Sequence, residues 1–269
     1  MFDENLWGTF GTVHLAMLAL AVILTAAAYF ILRSTSKRIQ ILMLFTLSLF
    51  AACTVIYNTV NAGTYEDVLR NLPLDWWALA TLILPFAVLF RGKYTCNILL
   101  LWSLGSLWRL VFNLDVTGLE YFTTENILAY FVDVICAGTS ILIFELHLEK
   151  RNPKTLKRTI WVTVFTYTFV YLANSAIHHF AGFKVNYMSS VMPTNEFLGF
   201  IYQLVPFQYF YVLFVIPFVV FYMFWWYLPE MLEQRRENKE LRAKLKAVNK
   251  YYRKYRREYI DEIIDEKKY

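Results

Sequence analysis

The chain has 269 residues, of which 58% are hydrophobic and 17% charged. A soluble domain is nearer half apolar and about a quarter charged, so this balance speaks against an ordinary water-soluble globule. The net charge of +5 is modest, but it is unevenly spread: residues 230–269 alone hold 13 Lys/Arg and 9 Asp/Glu.

A helix needs about 20 largely apolar residues to cross the hydrocarbon core. In chain order, seven stretches meet that requirement: 10–32, 39–60, 72–90, 95–113, 126–146, 159–180 and 205–228. Backbone hydrogen bonding in lipid makes each of them a helix. Asp3 and Glu4, rather than a basic region, precede the first stretch, so it reads as a retained span and not a cleaved signal. The third is the shortest, with Pro73 and Pro85 inside it. Between the sixth and seventh, residues 181–204 contain Gly182, Asn186, Pro193 and the apolar run Phe197 to Tyr202, which reads as an outer loop with an interfacial or re-entrant piece.

Lys and Arg set the orientation. With the N-terminus outside, the inner connections hold Arg33, Lys37 and Arg38, then Arg91 and Lys93, then Lys150, Arg151, Lys154, Lys157 and Arg158. Together with the tail they account for 23 of the 26 basic residues. Arg70, Arg109 and Lys184 lie on or toward the outside, where Asp3, Glu4, Glu66, Asp67, Asp115, Glu120, Glu125 and Glu196 predominate. Every crossing then obeys the positive-inside rule.

Residues 230–269 contain neither Pro nor Gly, which favours one continuous helix. Leu241, Leu245, Val248, Tyr252, Tyr255 and Tyr259 recur at heptad spacing, and extension backwards puts Asn238 at an a position. Two readings stay open. One is a short homodimeric coiled coil or a docking helix for a cytoplasmic or membrane protein. Against it, Tyr is a poor core residue and the positions flanking the seam are mostly basic. The other is a single amphipathic helix lying along the membrane or against the protein's own inner loops: between Arg235 and Arg257 there are 11 basic and 2 acidic residues, which anionic headgroups attract. Nucleic-acid binding has only charge in its favour and is not expected.

Polar groups in lipid face the bundle interior or a watery cavity. His14, Asn58, Asp75, Arg109, Asp133, Asn174, His178 and His179 all fall in the outer half of their spans, while Glu145 lies toward the cytoplasmic side. Asp133 is roughly 10 Å below the boundary at about 1.5 Å of rise per residue, and it needs a partner. Arg109 matches it in depth on the preceding span. The expectation is a buried Arg109–Asp133 pair that either pins two helices or belongs to an outward-facing pocket formed with His14, Asn58, Asp75, Asn174 and His178.

No nucleophile elbow, phosphate-cradling glycine loop or His/Cys metal spacing is present, so neither a metal nor a cofactor is expected. Cys53, Cys96 and Cys136 are an odd set without short spacing and read as small hydrophobes. The last span has no Lys for a retinal Schiff base, so the comparison with seven-helix receptors and rhodopsins is one of helix count only.

Three segments carry a family resemblance: Phe10-Gly-Thr-Val-His-Leu at the first span, Leu72-Pro-Leu-Asp-Trp-Trp at the third, and Asn186-Tyr187-Met188 after the sixth, followed by the aromatic cluster Phe207-Gln-Tyr-Phe-Tyr. In their order and spacing they resemble the YwaF-like integral membrane proteins of bacteria, which are related to an animal transmembrane acyltransferase. In that family the second motif reads Leu-Pro-Leu-His-x-Cys, and the resemblance implies an acyl-carrying role for the Cys in the animal relatives. Here Asp75 stands at the His position and Trp77 at the Cys position. Asp133, after Tyr130-Phe131, stands where the family tends to have another His, and His14 is retained. A thioester mechanism needs a thiol and a base to activate it. Both are altered, although Cys136 lies one turn from Asp133.

The expectation is thus an all-α polytopic protein of the cell membrane. It has a seven-helix domain over 1–229, N-terminus out, and a cytoplasmic charged helical tail over 230–269. Its expected role is non-catalytic: binding membrane lipid or an envelope precursor in the outer pocket, scaffolding through the tail, or both. An acyltransferase using other residues and a transporter are the alternatives. The transporter reading lacks inverted repeats and ionisable residues at the bilayer centre.

Overall fold

The computed structural model describes residues 11–112, 123–150, 155–193, 196–204 and 228–266, and among these it is helical with no strand. The helices are α1 (Thr12–Leu32), α2 (Lys37–Val60), α3 (Tyr65–Arg70), α4 (Trp76–Phe90), α5 (Lys93–Trp102), α6 (Leu104–Phe112), α7 (Thr124–Glu145), α8 (Leu156–Ala181), α9 (Glu196–Leu204) and α10 (Leu228–Glu266). Among the described residues, four helical stretches are long and apolar enough to cross a membrane: Thr12–Leu32, Lys37–Val60, Thr124–Glu145 and Lys157–Ala181. They coincide with the first, second, fifth and sixth predicted spans. The seventh, 205–228, and the aromatic cluster Phe207–Tyr211 lie outside the described residues.

The third and fourth predicted spans differ in detail. α4 starts at Trp76 rather than at 72, because Pro73 biases Leu72 to extended backbone and Asp75 is itself extended, with φ −76° and ψ 156°. Its 15 residues reach about 22 Å, short of a hydrocarbon core of about 30 Å. The fourth stretch is broken at Ser103 into α5 and α6, and the Ser103 hydroxyl donates to Leu100 O at 3.0 Å. Gly105 follows the break. A Cβ there would lie 2.9 Å from both Trp76 Cβ and the Trp77 backbone nitrogen, so α6 rests directly on the first turn of α4. The short helix α3 was not foreseen; Thr64 and Asp67 cap it reciprocally.

α4 and α7 are the central helices. α7 packs on α1, α2, α4, α5 and α6, and α4 packs on α2, α5 and α6 as well. The interior includes many small and weakly polar side chains, among them Ser48, Ala51, Ala78, Thr81, Ser106 and Ser140, all buried. At Gly138 a Cβ would come 3.0 Å from Thr25 Oγ1, which brings α1 close to α7. Leu44, Leu84, Leu99 and Ile143 are buried in the interior as well, but many large apolar side chains point outward: Ile23 and Ile31 on α1, Leu42 and Phe50 on α2, Phe165 and Phe169 on α8 are all exposed. In water such a surface would aggregate. In a bilayer it is the lipid contact, while small residues let helix backbones approach and pack by dispersion. Helices of this length, composition and surface suit insertion into a membrane.

The chain divides into two compact units, 1–218 and 219–269. In the second unit α10 is one 39-residue helix. Its side chains from Leu232 to Ile260 are exposed.

Candidate functional site

Arg109 stands on α6 and Asp133 on α7. Arg109 Nε lies 3.2 Å from Asp133 Oδ2, and the two side chains are 13% and 5% exposed. The guanidinium carbon sits 3.9 Å from the centroid of the Trp77 ring, supplied by the second residue of α4. The arginine therefore has a carboxylate beside it and an aromatic face against it, two interactions that strengthen as water is excluded. One residue further on α6, Leu110 O accepts a 2.7 Å hydrogen bond from His14 Nε2, which is buried on α1. The Tyr130 hydroxyl on α7 donates to Met17 O on α1. The helices α1, α6 and α7 are thus tied to one another by polar contacts. Cys136, fully buried one turn beyond Asp133, sits with the hydroxyls of Ser106 and Thr81.

A second knot adjoins the first through the consecutive residues Asp75, Trp76 and Trp77. Asp75 Oδ1 accepts the Met188 backbone N–H at 2.6 Å. Asn174, buried on α8, donates to Tyr187 O at 3.1 Å and to Ser190 Oγ at 2.8 Å, and accepts the Tyr187 N–H at 3.2 Å. The Tyr187 hydroxyl donates to Leu69 O. Asn186 Oδ1 takes the backbone N–H groups of Val191 and Met192 at 3.0 and 3.1 Å. These contacts hold Met188 and Ser189 in left-handed conformation, φ 55° and 50°, which non-glycine residues adopt at a cost. Trp76 stacks on Tyr167 at 5.9 Å and tilts against Trp102 at 5.5 Å. Burial pushes the Tyr187 phenol up to about 12, and the charge of Asp75 adds to the rise.

Of the residues singled out in the sequence, Arg109 meets both Asp133 and Trp77, His14 bonds the carbonyl of the residue after Arg109, and Asp75 and Asn174 form the adjoining knot. Asn58 and His178 are exposed, as is His179, and none of the three is brought into either cluster. Glu145 ends α7 and is exposed. Sequence reasoning missed Trp77 as the platform for Arg109 and missed the backbone partners of His14 and Asp75. The available signal was the pair of tryptophans directly after Asp75. Among the described residues no group of three or more His, Cys, Asp or Glu is placed to hold a metal ion. No family model, curated protein or solved structure matches the chain.

Proposed function

We propose that this is a seven-span cell-membrane protein of the YwaF-like kind, N-terminus out and C-terminus in, that binds the headgroup of a lipid or envelope precursor at its outer half without transferring an acyl group. The observation that carries the reading is the Arg109 guanidinium held between the Asp133 carboxylate and the Trp77 ring. A buried ion pair is weak as a source of stability, and an ionisable residue within a span is by default a functional-site hypothesis. The planar guanidinium fork matches phosphate and carboxylate groups, and a fixed carboxylate and ring hold that fork in one orientation.

The non-catalytic half of the reading rests on what occupies the altered positions. Trp77, where the family has its Cys, is engaged with Arg109, and Asp75, where it has a His, is engaged with a backbone N–H. Cys136 is enclosed by the bundle. The topology rests on the long helices and on the basic connections, with Arg33, Lys37 and Arg38 between α1 and α2 and Arg91 and Lys93 between α4 and α5.

The test is native mass spectrometry of the purified chain with its co-extracted lipid. Arg109→Gln is expected to lose the lipid. The double exchange Arg109→Asp with Asp133→Arg is expected to recover thermal stability but not the lipid. Recovery of both by the exchange would reduce the pair to a brace between helices. Acyl transfer from labelled phospholipid in membranes, abolished by His14→Ala or Asp133→Asn, would overturn the non-catalytic half.

A further inference from the structure

We infer that α10 lies on an anionic membrane surface, its apolar and aromatic stripe in the interface and its basic flanks on lipid phosphates. At 100° per residue, Leu241, Leu245, Val248, Tyr252, Tyr255 and Tyr259 fall within a sector of about 80°. All six are exposed. Lys244 borders one edge of that sector and Arg256 the other, and the rest of the circumference carries most of the 11 basic residues between Arg235 and Arg257, against 2 acidic ones.

Charge and side-chain chemistry both select the occupant. A second copy would bring the same excess of positive charge against itself, and three of the six stripe positions would put a tyrosine hydroxyl into a coiled-coil seam, where apolar residues pack best. An anionic bilayer offers the opposite charge, and each Lys or Arg near it adds to the attraction. It also offers the interface in which tyrosine is enriched, with its ring among acyl chains and its hydroxyl among headgroups. Long basic side chains at the sector edges can lay their aliphatic stems along the apolar face while the charges reach phosphate. The stripe is narrow and carries few large aliphatic groups, so apolar burial alone gives weak adhesion and anionic lipid becomes a requirement.

The experiment is amide hydrogen exchange of the full chain in lipid nanodiscs. In discs with a third of their lipid as phosphatidylglycerol, exchange over residues 239–259 is expected to slow by about tenfold relative to pure phosphatidylcholine. In 1 M salt, where the screening length falls to about 3 Å, the difference should collapse. The triple variant Lys244→Glu, Arg253→Glu, Arg256→Glu alters only exposed residues and is expected to exchange at the phosphatidylcholine rate in both discs. Equal exchange of the unaltered chain in the two lipids would overturn the inference. So would protection confined to discs holding two copies regardless of lipid charge, which would assign the stripe to a second chain.

Discussion

Trp77 presents its ring to Arg109, 3.9 Å from guanidinium carbon to ring centroid, on the side chain that also meets Asp133. Removing one member of a buried ion pair costs about 3 kcal/mol, whereas replacing both by apolar residues of similar volume is close to neutral. Asp133→Asn and Arg109→Gln should therefore each lower unfolding stability in detergent by about that amount, and the pair Arg109→Met with Asp133→Leu should recover most of it. Trp77→Leu should cost about 1 kcal/mol or more through the lost cation–π contact, with Trp77→Phe between the two. Thermal unfolding of the five variants side by side is the measurement. A double variant no better than the worse single would show that the two charges do not depend on each other.

Gly105 makes the second prediction. Its added methyl would sit 2.9 Å from Trp76 Cβ and from the Trp77 nitrogen, one side-chain stem and one backbone atom, neither of which moves cheaply. Gly105→Ala is expected to destabilise by about 1–3 kcal/mol despite the better helix propensity of alanine. Gly199→Ala on α9, where the methyl meets nothing within 4 Å among the described residues, should be neutral or slightly stabilising. Melting temperatures of the two variants decide the matter, and an unperturbed Gly105→Ala would mean that α6 does not rest on α4 as described.

What the sequence made legible follows from what kind of information a sequence holds. The four long helices were visible because an apolar run of that length has one solution in lipid. The Arg109–Asp133 contact was visible because depth along a helix follows from counting residues and a buried charge demands its opposite. The rotation of each helix is not given by counting, and for that reason Asn58 and His178 matched the others in depth but are exposed. The break at Ser103 was hidden inside an unbroken apolar run, with only Gly105 to mark a close approach. The partners of His14 and Asp75 are a backbone carbonyl and a backbone N–H, which no side-chain pattern announces.

The loop at residues 186–192 should respond to alkali. The Tyr187 phenol is raised from 10 to about 12 in the folded chain, so the folded state holds that proton more tightly than the unfolded one. Its contribution is fully present below pH 10 and is lost as pH rises toward 12. Amide exchange of residues 186–192 should thus be flat up to about pH 10, after correction for the intrinsic rate, and should accelerate above it. Tyr187→Phe should remove the alkaline step while raising exchange at neutral pH through the lost bond to Leu69 O. Asn174→Ala, which deletes three hydrogen bonds to this segment, should loosen it at every pH, by about 2–3 kcal/mol of local opening energy. An alkaline step that survives in Tyr187→Phe would have to come from another group.

The proposed orientation can be read chemically. Lys184, after α8, and Lys37, at the start of α2, are both exposed, and the proposal puts them on opposite sides of the membrane. In intact cells a membrane-impermeant maleimide should label Lys184→Cys and spare Lys37→Cys and Lys250→Cys, and permeabilisation should expose the latter two. The native thiols give little background: Cys96 and Cys136 are buried. Cys53 is exposed on the middle of α2, a stretch apolar enough to lie in hydrocarbon, where the reactive thiolate does not form. Labelling of Lys37→Cys before permeabilisation would invert the topology and place the Arg109 cluster on the cytoplasmic half. Lys184→Cys and Lys250→Cys sharing a side would show instead that the stretch between α8 and α10 does not cross, so the count of spans would fall while the cluster kept its place.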